Sequence, residues 1–123
     1  MKHVLFGILF FFMGSISFAQ TANTASCSSS RNLKDGVVSG RIEMILPSHL
    51  SSEDVINFAK YYEPFFNVDF NAMNHVATFQ MVSNTADSRR VILRFLSASQ
   101  IQSVTVEGKS YFLQDFYQNF LEK

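Results

Sequence analysis

The chain has 123 residues, and 10 Lys plus Arg balance 10 Asp plus Glu, so its formal net charge is zero. This neutrality argues against nucleic-acid binding, which depends on a concentrated positive charge that releases counterions from phosphates. An apolar fraction of 47% with 16% charged residues is typical of a globular protein, and the length allows one folded domain. One Cys excludes a framework of disulfides within the chain.

Residues 1–19 have the three parts of a secretory signal peptide. Lys2 gives a basic start, an apolar run extends from Val4 to Met13, and Ser17-Phe18-Ala19 is a small-x-small cleavage site. Small and polar residues interrupt the run after Met13, whereas a membrane span needs about 20 predominantly apolar residues. We therefore predict cleavage after Ala19, export to the periplasm or outside the cell, and no membrane span in the mature chain. An uncleaved anchor is the alternative.

Residues 20–35 are rich in Ser, Thr, Asn and Ala, with Leu33 as the single large aliphatic residue. Such a segment buries too little apolar surface to offset the entropy of ordering, which predicts a flexible tether. Cys27 lies in this tether without the Leu-containing box that precedes a lipidated Cys. We expect a free thiol there, with lipidation or pairing with a partner chain as the alternatives.

Residues 36–123 are periodic and are predicted to form the single domain. Alternating apolar and polar residues predict strands, and apolar residues spaced three and four apart predict helices. Ser51 with Asp54 is the predicted capping box of the first helix, and Ser110 is the predicted cap of the last one. The predicted strands are 38–46, 68–70, 76–82 and 101–107, and the predicted helices are 51–62, 84–99 and 110–121. The order β-α-β-β-α-β predicts an α+β, ferredoxin-like fold, in which an antiparallel sheet lies under two helices. The last helix is an extra C-terminal element.

One segment combines a helix, a proline, a strand and a turn to the next strand. It runs from Phe58-Ala59-Lys60-Tyr61-Tyr62-Glu63-Pro64 through Val68-Asp69-Phe70 to Val76-Ala77-Thr78-Phe79. In this pattern the chain resembles the heavy-metal-associated domain family of small copper-chaperone-like modules, over about residues 38–107. The resemblance implies a ferredoxin-like fold. The metal motif of the family, Met-x-Cys-x-x-Cys, belongs in the loop that here reads Leu46-Pro47-Ser48-His49-Leu50-Ser51-Ser52, and neither Cys is present.

Histidine and methionine could still supply ligands for a soft metal such as copper. The candidates are Met44, His49, Met73 and His75. Each also fits a structural interpretation, because Met44 belongs to the apolar face of a strand and the other three lie in a loop or a turn. A degenerate copper carrier is therefore the alternative function, and we expect no resident cofactor.

The sequence contains no recognisable nucleophile motif and no glycine-rich phosphate loop, so we predict that the protein is not an enzyme. Aromatic residues are concentrated at two places and are the candidates for a protein interface: Tyr61, Phe65, Phe66, Phe112 and Phe116. One helix face cannot bury adjacent aromatics, and exposed aromatics mark binding surfaces. The predicted function is an exported, non-catalytic module that binds a protein partner. Burial of these aromatics under the last helix is the alternative.

Overall fold

The computed structural model describes residues 23–123, so the predicted signal peptide over 1–19 lies outside the described residues. The fold is α+β, with one mixed six-stranded sheet. The strands are β1 (Thr24–Cys27), β2 (Arg41–Ile45), β3 (Phe66–Asn71), β4 (Val76–Met81), β5 (Ser103–Val106) and β6 (Lys109–Phe112). The helices are α1 (Ser30–Ser39), α2 (Ser52–Ala59), α3 (Ala86–Ala98) and α4 (Leu113–Phe116). A 3-10 turn over Lys60–Tyr62 follows α2, and a π-helix over Tyr117–Leu121 continues α4. We call α4 and this π-helix together the C-terminal helix.

Strand β1 lies inside the sheet, whose strand order is β3-β4-β2-β1-β5-β6. It pairs in parallel with β5 and antiparallel with β2. The predicted tether over 20–35 is therefore wrong for residues 24–35, which form β1, the start of α1 and the turn between them. Two small side chains, Ala25 and Cys27, fill the core side of β1. Large side chains are unnecessary because strands on both sides supply hydrogen bonds and apolar neighbours.

Helix α1 replaces the beginning of the strand predicted over 38–46. The helix is capped by Ser29, whose hydroxyl oxygen accepts a hydrogen bond from the Asn32 N–H at 3.1 Å. It ends at Gly40, which has a φ of 80°, a left-handed conformation that glycine adopts without steric cost. The strand consequently starts at Arg41, and the predicted alternation holds from there onward.

The sheet differs from the predicted ferredoxin-like arrangement. Elements β2 to β5 follow the predicted order, but the sheet is mixed rather than antiparallel because β1 enters between β2 and β5. The described part of the chain contains four helices, rather than two and an extra one. The α+β class is confirmed, whereas a simple two-helix ferredoxin-like fold is not.

Strand β6 occupies residues that were predicted to begin the last helix. Glu107 and Gly108 have φ values of 52° and 81° and form a two-residue turn between the paired residues Val106 and Lys109. A two-residue turn with positive φ at both positions matches the twist of a hairpin. Ser110 therefore lies in β6 and does not cap a helix, and α4 begins at Leu113.

The helices pack on one face of the sheet. Buried and less buried residues alternate along β1, β2, β4 and β5, and the buried residues of strands and helices form one hydrophobic cluster. No element within residues 23–123 covers the opposite face, where Glu43, Thr78 and Gln80 lie. The largest fully buried side chains include Ile42, Phe66, Phe79, Phe95 and Phe116.

Arg89 fixes the C-terminal helix against α3. This buried side chain donates from Nε to the Leu121 carbonyl at 2.7 Å and from Nη2 to the Lys123 carbonyl at 3.1 Å. The Leu121 carbonyl is at the end of the helix and the Lys123 carbonyl lies beyond it, so neither has an intrahelical partner, and a cation there satisfies both hydrogen bonding and the helix dipole. Tyr117 adds a hydrogen bond from its hydroxyl to the Ala86 carbonyl at 3.2 Å.

Glu107 fixes the other end of the domain. Its carboxylate accepts hydrogen bonds from the Ser30 N–H at 2.6 Å and the Ser30 hydroxyl at 2.7 Å, at the first turn of α1. The hydrogen bonds from the Ser30 backbone and side chain stabilise the ionised carboxylate and lower the pKa of Glu107. The turn of the β5–β6 hairpin is thereby tied to α1.

Glu107→Gln is expected to make stability less dependent on pH. Because the pKa of Glu107 is lower in the folded state, its carboxylate contributes stability above the unfolded value of about 4.3. That contribution is lost as the pH falls through the folded-state pKa. The difference in urea midpoint between parent and variant should be constant above about pH 5 and shrink below about pH 4. Glu63→Gln, in an exposed turn, is the control, and an identical pH profile for both variants would contradict the assignment.

Candidate functional site

Two pairs of consecutive aromatic residues, Tyr61-Tyr62 and Phe65-Phe66, flank Pro64. In each pair one side chain packs towards the core and the other is at the surface. Phe66 is completely buried and Tyr62 is half-buried. Their neighbours Tyr61 and Phe65 are 79% and 38% exposed. The chain cannot bury both members of a pair, because consecutive side chains point in different directions in a 3-10 turn and in a strand.

The inner aromatics form a rigid cluster under the surface. Tyr62 stacks on Phe66 with ring centroids 5.8 Å apart, and Phe66 meets Phe79 edge to face at 5.4 Å. Phe95 of α3 contacts Phe79 at 5.3 Å in the same geometry. Each such pair contributes about 0.5–1.5 kcal/mol beyond its burial of area. The cluster consequently fixes the backbone from which Tyr61 and Phe65 project.

Backbone hydrogen bonds hold the outer residues in place. The Phe65 N–H donates to the Tyr62 carbonyl at 2.9 Å, and the Phe65 carbonyl accepts from the Val82 N–H at 3.0 Å. Val82 is 60% exposed and therefore adds aliphatic surface beside Phe65. We call the three exposed residues Tyr61, Phe65 and Val82 together the Pro64 corner.

A cleft opens beside the corner. It has a volume of about 540 Å³ and is lined by Asn57, Phe58, Lys60 and Tyr61. Helix α2, which supplies its wall, is anchored by the predicted capping box, since Ser51 and Asp54 exchange side chain to backbone hydrogen bonds at 3.1 Å. The cleft has both apolar and polar walls and could receive one side chain of a partner.

Two of the five predicted interface residues are in the core. Phe66 and Phe116 are completely buried, so neither can contact a partner in this fold. Phe116 packs against Phe120 with ring centroids 5.6 Å apart, on the face of the C-terminal helix turned towards the sheet. The prediction is wrong for Phe66 because this residue begins β3 on the covered face of the sheet, and it is wrong for Phe116 because a local pattern does not show which face of the C-terminal helix docks.

Phe112 is exposed at the other side of the sheet. It lies on β6 opposite Ser103, is 73% exposed, and belongs to the uncovered face. Among the strands of residues 23–123, β3 and β6 are at opposite ends of the sheet, so Phe112 is far in strand order from the Pro64 corner, which leads into β3. Phe112 has the hydroxyl side chains of Ser103 and Ser110 nearby, whereas Phe65 is hydrogen-bonded through its backbone to Val82, a second exposed apolar residue.

The predicted metal ligands lie in different settings. Met44 is buried on the core side of β2, and Met73 is fully exposed in the β3–β4 turn. His49 is an exposed loop residue whose Nε2 lies 3.0 Å from the Ser99 carbonyl oxygen, and His75 packs edge to face on Phe70. Within residues 23–123, no three His, Cys, Asp or Glu side chains form a group that could hold a metal ion.

Cys27 is a core residue rather than a tether residue. Its thiol is free and buried on β1, and desolvation raises its pKa to about 12. A thiol with this pKa is protonated near neutral pH, and the thiolate is the reactive form. Nucleophilic chemistry and ready exchange with a partner disulfide are therefore disfavoured at this site.

Val82 was not among the predicted interface residues. The sequence placed it at the end of a strand together with Met81, without assigning it to a face. Alternation along β4 gives the missing signal, because Ala77, Phe79 and Met81 are buried and Val82 must face the other way.

No helix in the described part of the chain is both long and apolar enough to cross a membrane. Comparison of the sequence and the fold with protein-family models, curated proteins and solved structures finds no match.

Substitution of buried and exposed aromatics by serine is expected to separate the two groups. Phe66→Ser and Phe116→Ser should each lower the free energy of unfolding by at least about 3–5 kcal/mol, because a large buried side chain is lost. Tyr61→Ser and Phe112→Ser should change it by less than about 1 kcal/mol. Urea unfolding followed by circular dichroism measures these differences, and comparable losses in all four variants would contradict the assigned burial.

Proposed function

We propose that the protein is an exported, non-catalytic module that binds a protein partner through the Pro64 corner. The observation that supports this proposal is the exposure of Tyr61, Phe65 and Val82, next in the chain or in the sheet to a cluster of packed, buried aromatic rings. Export is proposed from the sequence of residues 1–19.

The corner has the energetic properties of a binding hot spot. Complete burial of one large apolar side chain contributes about 1.5–3 kcal/mol, and aromatic residues are enriched among hot spots. Two hydrogen bonds fix the backbone of Phe65, so binding costs little additional backbone entropy at that residue. A partner therefore gains transfer free energy in proportion to the exposed fraction that it covers, which is large for Tyr61 and Val82 and smaller for Phe65.

The surroundings of the corner suggest how a partner is oriented. Lys60 and Asn57 place polar groups at the cleft beside Tyr61, whereas Phe58 supplies an apolar wall. An apolar centre with a polar rim is the usual arrangement of a protein interface. We expect one partner side chain to enter the cleft while its neighbours contact Phe65 and Val82.

The alternative function, a copper carrier, has no comparable support from the described residues. Met44 is in the core, and the two histidines contact different parts of the fold, near the end of α3 and on β3. We therefore retain the protein-binding function.

The double variant Tyr61→Ser, Phe65→Ser is expected to lose partner binding while remaining folded. The parent chain and the variant are immobilised and exposed to the exported protein fraction of the source cells, and the retained proteins are quantified by mass spectrometry. A specific partner should fall to about one tenth or less, since loss of two hot-spot contacts costs at least about 1.4 kcal/mol.

The matched control is Phe112→Ser, which removes an exposed aromatic at the opposite edge of the sheet. It should retain the same partner at the parent level. Equal retention by the double variant, or loss on Phe112→Ser instead, would contradict a role for the Pro64 corner.

A further inference from the structure

A groove separates helix α1 from the C-terminal helix, away from the Pro64 corner. Its volume is about 850 Å³. Helix α1 supplies one wall and the rim, and the π-helix and the residues after it supply the other wall. The lining residues used below are Arg31, Lys34, Asp35, Val38, Phe120 and Lys123.

The groove is positively charged although the whole chain is neutral. The side chains of Arg31, Lys34 and Lys123 line it, and Asp35 is the one acidic side chain among the lining residues. Arg31, Lys34 and Val38 recur at spacings of three and four, so they share one exposed face of α1. Val38 and Phe120 supply apolar lining beside these cations. Such a groove complements an acidic ligand that also has an apolar side.

Both walls are attached to the same residue pair. Asn84 donates from its side-chain amide to the Val37 carbonyl of α1 at 2.6 Å and accepts from Arg89 Nη1 at 2.6 Å. Arg89 in turn holds the Leu121 carbonyl at 2.7 Å. The chain of hydrogen bonds from α1 through Asn84 and Arg89 to the C-terminal helix sets the width of the groove.

The wall formed by the C-terminal helix is also preformed. The ring of Phe120 lies edge to face on Tyr111 at 5.1 Å and contacts Phe116 at 5.6 Å, which fixes its orientation. Gly36 lets α1 approach β2 closely, because a Cβ atom at this position would lie 2.6 Å from the Arg41 carbonyl oxygen. Neither wall needs to rearrange to admit a ligand.

We propose that this groove binds an acidic amphipathic helix of a partner protein. A groove between two fixed helices accommodates the apolar side of a third helix, which is the helix-in-groove mode of recognition. Val38 and Phe120 contact the apolar side, and Arg31, Lys34 and Lys123 pair with carboxylates along its edges. The π-helix is consistent with this assignment, since such segments are frequent at functional sites. The site is independent of the Pro64 corner.

The probe is a fluorescein-labelled helical peptide of about 14 residues, four turns, with leucine on one side and glutamate elsewhere. A second probe carries lysine in place of every glutamate. Binding to the full chain is measured by fluorescence anisotropy at low ionic strength. The acidic probe should bind at least about tenfold more tightly than the basic probe, and added salt should weaken its binding.

Charge reversal identifies the groove. Arg31→Glu with Lys34→Glu should weaken binding of the acidic probe at least about tenfold. Arg41→Glu with Arg94→Glu makes the same change of net charge on other exposed surfaces and should weaken binding of the acidic probe less than about threefold. Val38→Ser, which leaves the charges of the groove unchanged, should also weaken binding of the acidic probe. Neither charge-reversed variant should alter the partner retained through Tyr61 and Phe65.

Several outcomes overturn the proposal. They are equal binding of both probes, equal weakening by the two charge reversals, and binding of the parent to vesicles of phosphatidylglycerol with none to the acidic probe. A dimer of the parent in sedimentation velocity that Arg31→Glu with Lys34→Glu dissociates would instead assign the groove to a second copy of the chain.

Discussion

The fold depends on the pairing of β1 with β2 and β5. In the order β3-β4-β2-β1-β5-β6, this four-residue strand lies between the group β3-β4-β2 and the pair β5-β6, and no other strand within residues 23–123 is hydrogen-bonded to both. Helix α1 follows β1 almost directly, and the C-terminal helix follows β6 on the far side of β5. The position of β1 therefore sets the distance between these two helices and, through it, the groove that they line. Glu107 and Asn84 then secure α1 at its first turn and at Val37.

Burial of one sheet face determines which aromatic residues reach the surface. Neighbouring side chains in a strand point to opposite faces, so a covered face can take one member of each adjacent pair. Phe66 and Tyr111 turn towards the helices, whereas Phe65 and Phe112 turn towards solvent. Of the two exposed residues, Phe65 lies beside another exposed apolar residue, Val82, to which its backbone is hydrogen-bonded. The Pro64 corner is thus a direct consequence of one-sided burial together with the turn that ends α2.

The periodic spacing of hydrophobic residues in the sequence predicted β2 to β5, α2 and α3. The buried residues of these elements, such as Ile42 and Phe79, are large and regularly spaced. The same spacing missed β1, whose core side is Ala25 and Cys27, since the stability of this strand comes from its neighbours rather than from its own composition. Strand β6 was missed because Glu107-Gly108 fits either a hairpin turn or the end of a strand. For the candidate site, exposure of Tyr61 and Phe65 was predictable from the adjacent pairs. Burial of Phe116 was not, because it depends on where the C-terminal helix docks.

Native-state amide hydrogen exchange at β1, measured by NMR, tests the central claim most directly. A strand inside the sheet opens only when the sheet separates, so its amides should exchange with free energies close to those of Val104 and Val106, near that of global unfolding. The measurement compares segments of one molecule under one condition and needs no substitution. Exchange of residues 24–27 at the rates of an unstructured peptide, while Val104 and Val106 stay protected, would contradict the account and restore the flexible tether.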